Sequence, residues 1–358
     1  MKKIRYAVVG AGWISQEAFM PSVEQTGNSV MTAIVTGNME KAGKLAEFYG
    51  IQHVYPYERY DEMLKAGVVD AVYIALPNSM HADYAIRAAR AGVHAMVEKP
   101  LAITVPECEA MVEAADRAGV WLMTAYRLHN EPGTVAVLDM IRNADIGDPR
   151  MFTATFGFQL PAGNHRLKGE HWGGPLQDLG VYCINAVRHV FASEPTQALA
   201  MTAHGNKDPR FTEVEESVCA MLRFPGDRIA TFYVSFGSEA VETYSILGTK
   251  GEIEVRAGFR FETARRIRLT RNGAVTEQQF PHVENFSGQT AYFSDCILKG
   301  VRPEADGGEG LADVRAMLAI EDAARTGMAQ PIASPPRPSH PTSAMVREFP
   351  LTDRRLLL

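Results

Sequence analysis

Cysteine is scarce. Four in 358 residues, with no C-x-x-C pair among them, give neither a disulfide framework nor a cysteine zinc site, and suit a reducing compartment. No apolar run approaches the ~20 residues that a membrane span requires, which excludes an integral membrane helix. Basic residues show no excess, since 36 Lys and Arg stand against 42 Asp and Glu for a formal net charge of -6. That balance argues against binding a nucleic-acid backbone, which needs a basic face. His165 and His171 are six apart in an expected loop, the wrong spacing for two ligands on one helical face, so no metal is expected. A signal peptide is also absent from the reading. Ile4–Val9 is too short for its apolar region and runs into Gly10-Ala11-Gly12-Trp13 rather than a small-residue cleavage site, so a cytoplasmic protein is expected.

What remains is core-forming material, 46% hydrophobic and 22% charged, in a chain long enough for two domains. Through residue 125, short apolar runs (Ile4–Val9, Ser29–Val35, Ala71–Leu76, His94–Glu98, Val120–Ala125) alternate with helix-period segments. Those segments are Ser15–Thr26, Asn38–Tyr49, Ala82–Ala91 and Pro106–Ala118, the last opened by a capping box, Thr104-x-x-Glu107. The alternation predicts an α/β Rossmann domain over 1–125, a doubly wound parallel sheet. Beyond residue 150 the pattern turns to β-branched and aromatic runs with partial period two, separated by turns such as Pro225-Gly226-Asp227 and Asn272-Gly273. Residues 126–330 therefore read as an α+β domain with a large open, mainly antiparallel sheet, weaker strands falling at Phe259–Phe261, Arg266–Thr270 and Ala274–Phe280. Its helices are expected at Leu179–Phe191, Gln289–Leu298 and Gly310–Thr326. Residues 331–358 form a proline-rich tail, extended over the body or a partner subunit, or disordered.

Gly10-x-Gly12 between the first strand and its helix is the dinucleotide fingerprint in its required context. Gly10 permits the tight turn, and Gly12 lets the backbone approach a pyrophosphate on the helix N-terminus. Ser15 fills the third position in place of glycine or alanine. NAD binders usually place an acid near the end of the second strand, yet Thr36-Gly37-Asn38 offers none and Lys41 follows one turn on. A 2′-phosphate suits that pocket, so NADP(H) is the expected cofactor. Leu76, Pro77 and Asn78 are expected under it, because ligands lie at the carboxyl ends of parallel strands, and Trp13, Ile14 and His81 are also expected contacts.

Glu98-Lys99-Pro100 ends another strand of that sheet and aims Lys99 at the same crevice. Asp178 and Tyr182, four apart at the start of an expected helix, share a face. Without Lys99 they would read as a helix cap and an interior tyrosine.

Asn78-Ser79-Met80-His81-Ala82, Glu98-Lys99-Pro100, Ala125-Tyr126-Arg127-Leu128-His129 and Asp178-Leu179-Gly180-Val181-Tyr182 together resemble landmarks of the glucose–fructose oxidoreductase / inositol dehydrogenase / MocA (GFO/IDH/MocA) family of sugar dehydrogenases. The resemblance spans about residues 4–330 and is strongest to the glucose–fructose oxidoreductase and aldose oxidoreductase branch. It implies Lys99, Tyr182 and Asp178 as catalytic residues, with Tyr182 standing where inositol dehydrogenases carry histidine. It also implies Lys99, Tyr126, Arg166, Asp178 and Tyr182 at the sugar, Glu98 and Lys99 at the cofactor, and a cis peptide before Pro100. A free tyrosine, with pKa ~10, is a poor base at neutral pH, and a neighbouring ammonium with an oxidised nicotinamide would stabilise its phenolate. The expected activity is NADP-dependent oxidation of an aldose at C1 to its lactone, with hydride transfer to a second sugar on a retained cofactor as an open extension. A reductase of 1,5-anhydrofructose or another keto-sugar is the alternative of the same fold, and a non-catalytic NADP sensor the alternative of another class. The family further implies pairing of subunits through the open sheet, as a homodimer or homotetramer.

Overall fold

The computed structural model describes residues 2–205 and 207–358. The chain divides into two units. The first comprises the segment ending at Glu131 together with Val283–Gly310 and Met345–Leu358, and the second comprises Pro132–His282 and Leu311–Ala344.

The first unit is built on β1 (Ile4–Val9), β2 (Ser29–Val35), β3 (His53–Tyr55), β4 (Ala71–Ile74), β5 (His94–Val97) and β6 (Leu122–Thr124). All pairings are parallel, in the order β3-β2-β1-β4-β5-β6. Strands covered on both faces must be apolar throughout, and β4 is buried at every residue. The strand order reverses between β1 and β4, which creates a crevice beyond their carboxyl ends. The Thr104–Glu107 capping box forms as its residue types demand.

The second unit carries β7 (Pro149–Gln159), β8 (Gln197–Ala203), β9 (Ser217–Phe224), β10 (Arg228–Ser235), β11 (Gly237–Gly248), β12 (Gly251–Arg256), β13 (Arg266–Arg271), β14 (Ala274–Gln279) and β15 (Gln330–Pro331). They form one sheet in the order β14-β13-β12-β11-β7-β10-β9-β8-β15, antiparallel except for β7 against β10. Alternation puts Phe152, Ala154 and Phe156 of β7, and Ala230, Phe232 and Val234 of β10, into the core. The opposite face remains open and is unusually apolar. Met151, Leu199, Met221, Ile229 and Leu247 lie in adjoining registers there, with Met201, 77% exposed, and Tyr233 flanking Cys219 of the strand between them.

Two expectations need correction. The helix Asn285–Lys299, expected in the second domain, groups with the first unit, as does the end of the tail. Tyr6 and Ser29 each bond Ser294, and Asn28 bonds Asp295, which docks that helix on β1 and β2. The tail is extended and fastened by Arg347 to Asp295, Arg354 to Glu24 and Arg355 to Glu17, all within the first unit. Phe259–Phe261 is not a strand, because Ala257 takes a positive φ of 55 and the Glu242 carboxylate binds the Phe259 and Arg260 amides. The helices Tyr60–Lys65 and Pro132–Arg142, and three-residue β3, escaped the sequence reading.

Candidate active site

The nucleotide end is made mainly of backbone. Gly10 has φ +95, and a Cβ there would sit 2.4 Å from the Ala75 carbonyl oxygen, so β1 and β4 can approach only with glycine. A Cβ at Gly12 would meet no protein atom within 4 Å, which leaves open space against the amides that begin the helical segment Ser15–Phe19. Ser15 earns its place at the third position by donating its hydroxyl to the Gly10 carbonyl at 2.6 Å while fully buried. Trp13 projects from this loop, 54% exposed.

At the end of β2, Thr36 is buried and bonds the hydroxyl of Tyr57, a residue that sequence reasoning missed. Tyr57 also packs against Gly37, 3.4 Å from where a Cβ would be. The Asn38 side-chain oxygen accepts from the Lys41 amide at 2.9 Å and so caps the helix Met39–Tyr49 rather than standing free. Half-buried Lys41 occupies the first turn of that helix, where free amides and the dipole already favour an anion.

Leu76, Pro77 and Asn78 follow β4, and Glu98-Lys99-Pro100 follows β5, both on the carboxyl side of the sheet. The Lys99–Pro100 peptide is cis. Tyr73, stacked on Phe19 at 3.7 Å, donates its hydroxyl to Glu98 at 2.5 Å. Burial pushes the Glu98 carboxyl above its usual range, while Tyr73, Lys99 and buried Arg127 pull it back. His81 is fully enclosed, with Nδ1 and Nε2 each 2.9 Å from the carbonyls of Pro100 and Leu76. Burial first, and the Lys99 charge after it, push its pKa down against the pull of the surrounding carbonyls. This corrects the expectation of a direct cofactor contact, since His81 ties the two loops together from beneath. Tyr126 is 2% exposed and stacked on His129, which bonds Glu304 at 2.8 Å. In this form it offers almost no surface to a sugar.

The second unit brings together Arg166, Asp178 and Tyr182. The helix of Asp178 and Tyr182 begins with a π turn, Leu176–Gly180, and continues as Val181–Val190, so Asp178 lies inside its first turn and is not its cap. Between Leu176 and Val190 every residue is buried except Asp178, Tyr182 and Ala186, a stripe at spacing four. The Tyr182 ring is seated against Phe156 and Phe259, at centroid distances of 6.1 and 6.4 Å. Arg166 reaches Asp178 at 3.2 Å. The loop carrying Arg166 folds back through Gly173, where a Cβ would stand 2.3 Å from the Arg166 carbonyl, and Gly174 donates its amide to that carbonyl. The pKa of His165 in the same loop is pushed down, mainly by burial and next by the Arg166 charge.

Comparison with known proteins identifies the family of the chain. The model of an oxidoreductase family with an NAD-binding Rossmann fold matches residues 4–126, and that of the GFO/IDH/MocA C-terminal domain matches residues 134–254. The chain is 30% identical over 331 residues to a D-xylose 1-dehydrogenase (NADP(+)) of Haloarcula marismortui, covering 90% of this chain and 91% of that one. It is also 30% identical over 335 residues to a 1,5-anhydro-D-fructose reductase of Ensifer adhaerens, covering 92% and 98%. The crystal structure of an aldose-aldose oxidoreductase from Caulobacter crescentus, complexed with glycerol, superposes with a TM-score of 0.88 at 34% identity over 92% of this chain and all of that one.

Proposed function

The chain belongs to the GFO/IDH/MocA family of oxidoreductases, and from that premise we propose that it oxidises an aldose such as glucose or xylose at C1 to the lactone, using NADP+. The cofactor's place is supported by the open space at Gly12 and the helix amides beyond it, which would hold the pyrophosphate. Lys41 and the first turn of the helix Met39–Tyr49 would take the 2′-phosphate, where an NAD site usually carries an acid. When bound, the nicotinamide takes up or gives back a hydride.

The protein's own part is to move one proton and hold one sugar. Tyr182 removes the proton of the C1 hydroxyl as the C1 hydride departs, and Lys99, on the carboxyl side of the first unit's sheet, is the ammonium we assign to stabilising negative charge. Asp178, oriented by Arg166, accepts from a neighbouring sugar hydroxyl. Reversal of the same steps reduces a carbonyl. That is the second reading, favoured by the similarity to the anhydrofructose reductase. The open apolar face of the second sheet is the kind of patch that a subunit covers, and we assign it to a second copy of this chain.

One observation carries the reading. Asp178 and Tyr182 are the polar members of the one accessible stripe on a buried helix, and a basic side chain already grips the carboxylate. Replacing Tyr182 with phenylalanine is expected to lower kcat by roughly 100-fold to 10,000-fold with NADP+ affinity unchanged. Unaltered turnover would sink the assignment of Tyr182 as the base.

A further inference from the structure

Glu321 lies outside everything so far described, on the helix Gly307–Thr326, yet within the second unit. Its single oxygen Oε1 accepts from Trp172 Nε1 at 2.8 Å and from Gln177 Nε2 at 2.6 Å. Those donors sit at two strategic places. Trp172 closes the loop that carries Arg166, in a left-handed conformation with φ 51, and Gln177 precedes Asp178 on the catalytic helix. One carboxyl oxygen therefore joins the loop to the helix.

The geometry points to Glu321 as a positioning residue for the sugar site, a latch that fixes Arg166 against Asp178 by holding Trp172 and Gln177 together. The inference rests on the reading of Arg166, Asp178 and Tyr182 as the sugar-binding group.

The other charged groups facing the latch make it sensitive to pH. Glu215 approaches from the segment before β9, Asp322 adjoins on the same helix, and His204 acts on Glu215. Gln177 is 2% exposed and its Oε1 has no partner. A Cβ at Gly174 would be 2.6 Å from that oxygen and 3.3 Å from Glu215 Oε1, so two acceptors face the same small space. Burial foremost, and then the Glu215 charge, push the Glu321 carboxyl up to about 7, although Trp172 and Gln177 pull it down. Released into water the carboxyl would return to its ordinary range, ~4.3. Proton linkage then gives the sign: the closed latch binds the proton more tightly than the open one, so closure is strongest below the ordinary pKa and weakens as pH rises through about 7.

The test is sugar KM at saturating NADP+ against pH for the wild type, Glu321→Gln, Glu321→Ala and Trp172→Phe, with D-xylose and D-glucose as probes. Wild-type KM is expected to rise roughly threefold or more between about pH 6 and pH 8.5 with kcat moving less. Glu321→Gln, neutral at every pH, should hold the low KM throughout, whereas Glu321→Ala and Trp172→Phe should be high throughout. Identical KM profiles for wild type and Glu321→Gln would overturn the proposal. Hydrogen exchange over residues 164–174, compared between wild type and Glu321→Gln at each pH, decides the latch without turnover. Protection lost at high pH in the wild type alone supports it, and equal protection refutes it. If neither sugar is oxidised by the wild type, the functional reading fails, and exchange still judges the latch.

Discussion

The candidate residues of the two units are made of different material. In the first unit the nucleotide end depends on what is missing, namely side chains at Gly10 and Gly12, so that backbone can reach backbone or ligand. In the second unit the site depends on what projects, namely Asp178, Tyr182 and Arg166 on a stripe and a folded-back loop. A pyrophosphate is the same in every dinucleotide, so a fixed backbone cradle serves it. A sugar is recognised hydroxyl by hydroxyl, which calls for side chains, and side chains on loops vary freely. Binding of the cofactor and choice of substrate should therefore fail separately under mutation.

The largest separation is expected at Gly10. Gly10→Ala forces a methyl onto the Ala75 carbonyl at a positive φ, and should abolish nucleotide binding and lower Tm together. Gly12→Ala meets no protein atom, so Tm should stay within about a degree while NADP+ affinity falls on the order of 100-fold, as titration of bound nucleotide would report. A Gly12→Ala protein that still binds tightly would break the cradle argument. In the second unit, Gly173→Ala displaces the Arg166 carbonyl and should raise sugar KM roughly tenfold or more with NADP+ affinity intact. Lys41→Ala is expected to raise the KM for NADP+ by about tenfold, the worth of one charged hydrogen bond, and to leave NAD+ untouched. Smallest in its effect on rate, Met221→Lys on the open sheet face should halve the mass seen by light scattering while kcat changes less than about twofold. An unchanged mass would remove that face from the subunit contact.

The same contrast explains what the sequence disclosed. Gly10, Gly12 and the acid-free end of β2 announce themselves by local spacing, because their work is done within one βαβ unit. The parallel character of the first sheet and the partial alternation of β9 and β10 were legible for the same reason. Glu321 was not, since its partners Trp172 and Gln177 are 149 and 144 residues away and no periodicity links them. His81 and Tyr126 carried motif signals of a binding role, yet the fold encloses both, and motif position does not report burial. Asn38 was legible as a polar group near the cofactor, although its oxygen is engaged as a helix cap. The helix Asn285–Lys299 follows most of the second sheet in sequence, and it takes long-range contacts such as those of Ser287, Ser294 and Asp295 to show that it belongs to the first unit.

The most direct measurement is the absorbance of reduced nicotinamide when the purified protein receives NADP+ with D-xylose or D-glucose, run beside the Tyr182→Phe variant. Reduction of NADP+ by an aldose, nearly lost in the variant, is the predicted result. No reduction with any aldose, joined to oxidation of NADPH by a keto-sugar such as 1,5-anhydrofructose, would contradict C1 oxidation and make carbonyl reduction the activity of this site.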